Sequence, residues 1–216
     1  MTAPSKILIT GSSGYCGNFL AIHFASQGIP VIGVDLSPHS VIRDIPNFKF
    51  VALDVRNGEV MKKIMEMEQP SHVIHLAYLM DPNHDRKFEY EVDVIGSKNV
   101  LQASHSVPSV KQIILMSSTS AYGANPDNPD WIPEDRPLNP GGYNYGIYKK
   151  EVEEYYGKFK RRQDLRLVTF RMCTAVGPSY YKKGGVVSSV ANAPFLLDIM
   201  GGNGKLQFIH EDDVRE

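Results

Sequence analysis

The stretch Lys6 to Gly17, KILITGSSGYCG, limits the fold more than any other part of the chain. Ile7, Leu8 and Ile9 form a short continuous apolar run, the pattern of a strand buried on both faces of a parallel sheet. Thr10 and Gly11 end it, glycines recur at 11, 14 and 17, and a helix-like apolar stretch runs from Tyr15 to Ser26. A strand, a Gly-rich turn and a helix start make a phosphate site. The glycines allow a tight bend and close approach of a pyrophosphate, and the free N–H groups of the helix N-terminus favour the anion. A second strand, Pro30 to Val34, ends on Asp35, 18 residues past Gly17. An acid at that distance accepts hydrogen bonds from the adenosine ribose hydroxyls, so the turn reads as a dinucleotide site.

The bulk numbers exclude other classes. The chain has 216 residues, 42% hydrophobic and 22% charged, with net charge −1, enough for one core. Near-neutral charge argues against nucleic acid or an anionic membrane as the main partner. No apolar run reaches the ~20 residues that span a bilayer. The start, MTAPSKILIT, lacks the charged and apolar regions of a signal peptide. Cys16 and Cys173 have no metal-ligand spacing and the histidines form no zinc pattern, so no metal is expected and a reduced, cytoplasmic setting is.

Strands and helices alternate along the rest. A third strand, Phe48 to Leu53, leads to Asp54-Val55, where Asp54 suits either the adenine amino group or a helix cap. A helix spans Val60 to Met67. Strand four, His72 to Leu76, is followed by Ala77, small enough for the backbone to lie against a cofactor. The loop Tyr78 to Asp85 borders the expected substrate cleft, and a helix runs to Ser106. Strand five, Gln112 to Met116, delivers Ser117 to Gly123 to the carboxyl edge of the sheet. The Pro/Asn/Asp-rich loop Ala124 to Gly142 is too long for a simple connection and reads as functional or lid-like. A helix from Tyr143 to Arg162 and strand six, Leu165 to Phe170, follow. Beyond them come a short apolar stretch, Ala193 to Met200, and a last strand, Leu206 to Ile209. The order predicts an α/β fold, a doubly wound parallel sheet with helices on both faces.

Tyr145 and Lys149 lie four apart and share a helix face. Tyr156 and Lys160 have the same spacing but sit deep in the helix, whereas Tyr145 lies in its first turn, straight after the long loop. Ser118, at the end of strand five, converges with them on the cofactor edge. A tyrosine acting as a base near pH 7.5 needs its pKa lowered from ~10, which costs about 3.4 kcal/mol. A lysine ammonium ~4.5 Å away supplies roughly 3.7 kcal/mol at an effective dielectric of 20. Tyr145 would then exchange a proton with a substrate hydroxyl while hydride moves at the same carbon, and Ser118 would hold the oxygen. The blander readings are a capping serine and a surface tyrosine.

Gly11-x-x-Gly14-x-x-Gly17, Asp35, Asp54-Val55, HLA at 75–77, SSTSAYG at 117–123, YGIYK at 145–149, FRMCTAVGP at 170–178 and FIHEDDV at 208–214 follow one another in a familiar order. Their spacing resembles the extended short-chain dehydrogenase/reductases, in the NAD-dependent epimerase/dehydratase branch, whose best-known members act on nucleotide sugars. The resemblance spans essentially the whole chain. It implies a Rossmann-like domain over 1–180, with 181–216 opening a truncated substrate-binding region. It implies Ser118, Tyr145 and Lys149 as the catalytic triad. NAD contacts are implied at Gly11, Ser13, Gly14, Tyr15, Cys16, Gly17, Asp35, Asp54, Val55, Leu76, Ala77, Tyr145, Lys149 and Met172, and substrate contacts at Thr119 and Thr174. Asp35 favours NAD over NADP, since no basic residue immediately follows it to hold a 2′-phosphate.

Departures narrow the chemistry. Dehydratases of the family carry Asp-Glu where this chain has Thr119-Ser120, and decarboxylases place Glu at Ser120, so epimerase or dehydrogenase/reductase chemistry survives. The family's common Asn in the helix after strand four is Asp93, which puts its usual proton-relay and helix-kink role in doubt. The frequent substrate-contacting Asn after strand six is Thr174, which weakens the case for a nucleotide sugar in particular. Family members continue for about another 80–100 residues that build a substrate domain. Three functions follow: a nucleotide-sugar epimerase, a dehydrogenase/reductase of a small alcohol or carbonyl, and a non-catalytic NAD-binding protein. Tyr148, Val152, Tyr155 and Phe159 make an apolar stripe on helix 143–162, either ordinary core packing or a two-fold homodimer interface.

Overall fold

A computed structural model of the chain describes residues 6–38, 44–79, 85–178 and 207–215. Six parallel strands make the central sheet: β1 (Ile7–Thr10), β2 (Val31–Asp35), β3 (Phe48–Ala52), β4 (His72–His75), β5 (Gln112–Ser118) and β6 (Arg166–Met172). They lie in the order β3-β2-β1-β4-β5-β6. The order reverses beside β1, so β1 and β4 flank the crevice where open α/β sheets bind ligands. Register aligns that edge: Thr10 pairs with Val34 and with His75, and the longer β5 and β6 end together at Ser118 and Met172. Ile7, Leu8 and Ile9 are almost completely buried, as expected of a strand covered on both faces.

Helices cover both faces, which makes the domain Rossmann-like. On one side α1 (Tyr15–Ser26) packs Phe19, Leu20, Ala21 and Ala25 against Ile7, Ile9, Val31 and Ile74. On the other, α2 (Gly58–Glu68), α4 (Gly96–Ser106) and α5 (Asn144–Lys158) close over Leu8, Val73, Ile113 and Leu115. Each such fully buried aliphatic side chain contributes roughly 1.5–3 kcal/mol. A short α3 (Arg86–Tyr90) runs through a π-helical stretch (Glu91–Ile95) into α4. A small parallel pair, β7 (Thr174–Val176) and β8 (Phe208–His210), and a terminal helix, α6 (Glu211–Arg215), complete the described residues. The domain boundary expected at residue 180, the apolar stretch 193–200 and most of the loop 78–85 lie outside them. Among the described residues no helix is long and apolar enough to cross a membrane.

Several local expectations are corrected. Asp54 does not cap α2; Asn57 does, its side chain accepting from the Val60 amide at 3.1 Å. The helix expected to reach Arg162 ends at Lys158 because Phe159 turns extended (φ −67°, ψ 123°) and sets its ring edge-on to His105. That exit carries the Arg162 guanidinium to the carbonyls of Ser104, His105 and Val110, bracketing the C-terminal end of α4. We expect Arg162→Ala to cost about 2 kcal/mol, since hydrogen bonds to a partly buried charge are lost. Differential scanning calorimetry would read this as a melting temperature lower by roughly 5 °C.

The apolar stripe on α5 serves the chain's own core: Val152 is fully buried, and Tyr148, Tyr155 and Phe159 pack half-buried against the same cluster. The homodimer expectation therefore rests on the resemblance. The long loop 124–142 is tied down near its middle. Arg171 donates to the Glu134 carbonyl and the Tyr122 hydroxyl, each at 2.6 Å, while also pairing with Glu153. Trp131, three residues before Glu134, is nevertheless 87% exposed.

Candidate active site

The turn after β1 is built from close backbone approaches. Gly11 has φ +71°, and a Cβ there would lie 2.7 Å from the Ala77 amide nitrogen, so the end of β4 presses directly on the turn. A Cβ on Gly17 would lie 2.0 Å from the Gly11 carbonyl oxygen. These contacts bring the start of α1 against the strand ends. Among the described residues no side chain caps that helix N-terminus and its first turn holds no acid, which leaves an anion-attracting end facing the edge of the sheet. Asp35 reaches over the turn: its carboxylate accepts from the Ser13 amide at 3.0 Å and the Leu36 amide at 2.7 Å. This is a cradle that side chains would fill, with an acid at its rim, and it fits a dinucleotide.

The other expected contacts are spread around it. Leu76 and Ala77 border Gly11, and their amides lie near the Thr10 hydroxyl. The Tyr15 phenol turns to the buried Glu211 carboxylate at 2.9 Å, so FIHEDDV docks on the start of α1. Cys16 is half-buried, and burial pushes its thiol up to about 11. Val55 is buried, whereas Asp54 is held by the Arg56 guanidinium, which lowers its pKa. Met172 faces Ser118 across the β5–β6 register. Thr119 opens a short 3-10 turn, Thr119–Ala121, and Thr174 is exposed on β7.

Ser118, Tyr145 and Lys149 converge. Ser118 ends β5, and its hydroxyl is within hydrogen-bonding reach of the Tyr145 phenol in the first turn of α5. It also accepts from the Ser120 hydroxyl at 2.8 Å. Lys149 is buried beneath, its ammonium donating to the Met116 carbonyl at 2.6 Å and lying 5.2 Å from the Tyr145 ring centroid. The expected depression of the Tyr145 pKa is not produced by the protein's own groups. Burial pushes the phenol upward, Asp93 and Tyr143 add to this, and the Ser118 hydrogen bond opposes it more weakly. Burial likewise pulls Lys149 well below its ordinary value. The phenol is thus held in its acid form, the form that donates a proton. Tyr156, of the second Tyr/Lys pair, is buried and donates to the Ser97 carbonyl, while Lys160 lies beyond the helix end.

A family profile described as "NAD dependent epimerase/dehydratase family" matches residues 7–216. The chain belongs to that family. NAD is the family's cofactor. An uncharacterised Mycobacterium tuberculosis protein is 26% identical over 222 residues, covering 98% of this chain and 57% of its own length. The Bordetella bronchiseptica enzyme WbmG, solved with NAD and UDP, is 25% identical with a TM-score of 0.72, covering 82% of this chain and 55% of that one. UDP-glucose 4-epimerase of Thermotoga maritima, solved with UDP-glucose, is 27% identical with a TM-score of 0.82, covering 97% of this chain and 71% of that one. The chain thus spans little more than half the length of the first relatives it matches.

One expected departure from the family is corrected. Asp93 stands where members commonly carry Asn, yet the helix distortion is present, because Asp93 sits in the middle of the π-helical stretch. Its carboxylate accepts from the Leu79 amide at 2.9 Å and its carbonyl accepts from the Ser97 hydroxyl, which holds the wide turn open. Burial raises the Asp93 pKa from 3.8 to about 6, with the Leu79 hydrogen bond and the Lys149 charge pulling the other way. A carboxyl whose pKa is higher folded than unfolded costs stability as it ionises. The cost is absent below about pH 4, grows through pH 6 and is complete above. We expect Asp93→Asn to gain on the wild type by on the order of 3 kcal/mol between pH 4 and pH 7, read from urea denaturation at both pH values.

Sequence reasoning passed over Tyr78, Glu153 and Arg171 as site components. Glu153 accepts from both the Ser117 hydroxyl and Arg171, bracing β5 and β6 one residue before Ser118 and Met172. Long-range packing of this kind leaves no local pattern to read.

Proposed function

We propose that the chain binds NAD along the Gly11–Gly17 turn and catalyses hydride transfer at a hydroxyl or carbonyl carbon, as a nucleotide-sugar epimerase. The observation that carries this reading is the meeting of Ser118, Tyr145 and Lys149 at the carboxyl edge of the sheet, beside a turn shaped by backbone contacts at Gly11 and Gly17. Gly11, Ser13, Gly14 and Gly17, with the amides of Tyr15 and Cys16, would hold the pyrophosphate, and Asp35 the adenosine ribose. Asp54 and Val55 would line the adenine side. Leu76, Ala77 and Met172 would line the nicotinamide side.

Bound NAD would supply the hydride acceptor and donor. As the phenolate that the Lys149 ammonium and the positive charge of oxidised NAD would favour, Tyr145 would take the proton of the substrate hydroxyl during oxidation and return it to the substrate oxygen during reduction. Ser118 donates to the same oxygen and orients it. Lys149 offsets the charge on the phenolate that forms. Thr119 and Thr174 are the proposed substrate contacts. Hydroxyl side chains at Thr119 and Ser120 provide no acid or base for eliminating water, which supports epimerisation over dehydration.

The test is incubation with NAD and a panel of UDP-, dTDP- and CDP-sugars, following products by NMR and absorbance at the wavelength of reduced nicotinamide. An epimeric product without net reduced cofactor supports the reading. Net accumulation of reduced cofactor instead assigns a dehydrogenase.

A further inference from the structure

Lys149 is 2% exposed and, among the described residues, has no carboxylate within salt-bridge distance. An ammonium has three donors and no acceptor. One donor is taken by the Met116 carbonyl. The ammonium also meets an aromatic face: Nζ stands 3.0 Å from the ring centroid of Tyr78. We propose that Tyr78 is a positioning residue, whose ring face holds the Lys149 ammonium in place behind Tyr145.

The ring is well suited to this because it is fixed from three sides. Its hydroxyl shares a hydrogen bond with the Ser97 hydroxyl at 2.9 Å. Ser97 in turn meets His75 Nε2 at 2.8 Å, and His75 Nδ1 meets the Thr10 hydroxyl at 2.7 Å. This buried polar chain ties Tyr78 to the end of β1, one residue before Gly11. His75 also packs on the Tyr78 ring with centroids 5.3 Å apart, and Tyr145 stands edge-on to it at 6.4 Å. The Tyr78 ring therefore touches both members of the helical pair and is anchored to the strand that opens the cofactor turn. A desolvated cation over an aromatic face is a favourable contact that neither water nor a leucine provides.

The charged and titratable groups around Lys149 are few. Asp93 faces it from the π-helical stretch, Glu153 from its own helix and Cys16 from α1. His75 faces it from β4, its pKa pulled down to about 3 by burial, so it stays neutral. The Tyr78 and Tyr145 phenols are both pushed upward by burial, and Tyr78 stays neutral. The ring face thus acts without a titration of its own.

The importance of this contact for chemistry rests on the proposed function; the contact itself is tested without substrate or cofactor. The full chain is prepared with lysine labelled at the ε carbon, and the Lys149 resonance is assigned by its loss in Lys149→Arg. Its titration is followed by NMR in the wild type, Tyr78→Phe and Tyr78→Leu, with folding checked by circular dichroism. Tyr78→Phe, which keeps the face, is expected to titrate within about 0.3 unit of the wild type, and Tyr78→Leu about one unit or more lower. If Tyr78→Leu does not fold, Tyr78→Met replaces it with the same expectation. A leucine or methionine variant that titrates with the wild type overturns the proposal. So does a phenylalanine variant that falls as far as leucine, because the hydroxyl rather than the ring would then be responsible. A failed search for epimerase activity, with this pattern intact, would overturn the function and leave the contact standing.

Discussion

Tyr145→Phe is expected to lower turnover by roughly two to four orders of magnitude, the range a positioned general acid or base supplies. The substitution removes one oxygen and leaves the ring, so packing against Tyr78 and Tyr143 is kept. NAD affinity and the melting temperature should change little. The phenol is buried and held protonated, so no stability is gained from an ionised form that the substitution would forfeit. The measurement is steady-state turnover on whichever sugar nucleotide the panel identifies, with calorimetric NAD binding alongside. A variant that retains wild-type turnover would remove Tyr145 from the chemistry, and with it the proposed roles of Ser118 and Lys149.

The second large effect belongs to Gly17. A methyl group there would sit 2.0 Å from the Gly11 carbonyl oxygen and 2.7 Å from the Ser12 Cα, and neither can swing away as a flexible side chain would. The helix must retreat from the strand ends for Gly17→Ala to fold. Overpacking of this kind costs roughly 1–3 kcal/mol even where a core can adjust, and here the obstacle is backbone. We expect a substantially lower melting temperature and NAD binding weakened beyond calorimetric detection. Gly157→Ala is the control. It lies in α5 with nothing within 4 Å of the added methyl, and it should gain up to about 1 kcal/mol from helix propensity. Equal behaviour of the two variants would mean that the turn is not as tight as described.

The fold was legible because its signals are local. Apolar runs at Ile7–Ile9 and Ile113–Met116 mark buried strands, and the glycines between β1 and α1 mark a turn whose geometry demands them. Alternation of strands with helices then leaves few topologies. Less legible were the features decided by contacts between distant residues. Asp54 could be read as a helix cap or an adenine contact, and only the packed helix start shows that Asn57 takes the Val60 amide while Asp54 takes that of Arg56. The helix end at Lys158 follows from Phe159 turning toward His105 and from Arg162 reaching carbonyls on another helix. The residue change at Asp93 pointed away from a helix distortion, yet Leu79 and Ser97 supply the hydrogen bonds that sustain it. The expected pKa shift of Tyr145 had the wrong sign because a sequence lists charges but not burial, and burial dominates here. Tyr78 was invisible for the same reason: nothing in its neighbourhood along the chain indicates that its ring meets Lys149.

Calorimetric titration of the purified chain with NAD and NADP, repeated with Asp35→Ala, tests the central claim most directly. Saturable NAD binding, weaker NADP binding, and loss of that preference in Asp35→Ala are the expected results. Absence of binding by either dinucleotide to the folded wild type, or an affinity untouched by Asp35→Ala, would contradict the assignment of the Gly11–Asp35 edge as the NAD site.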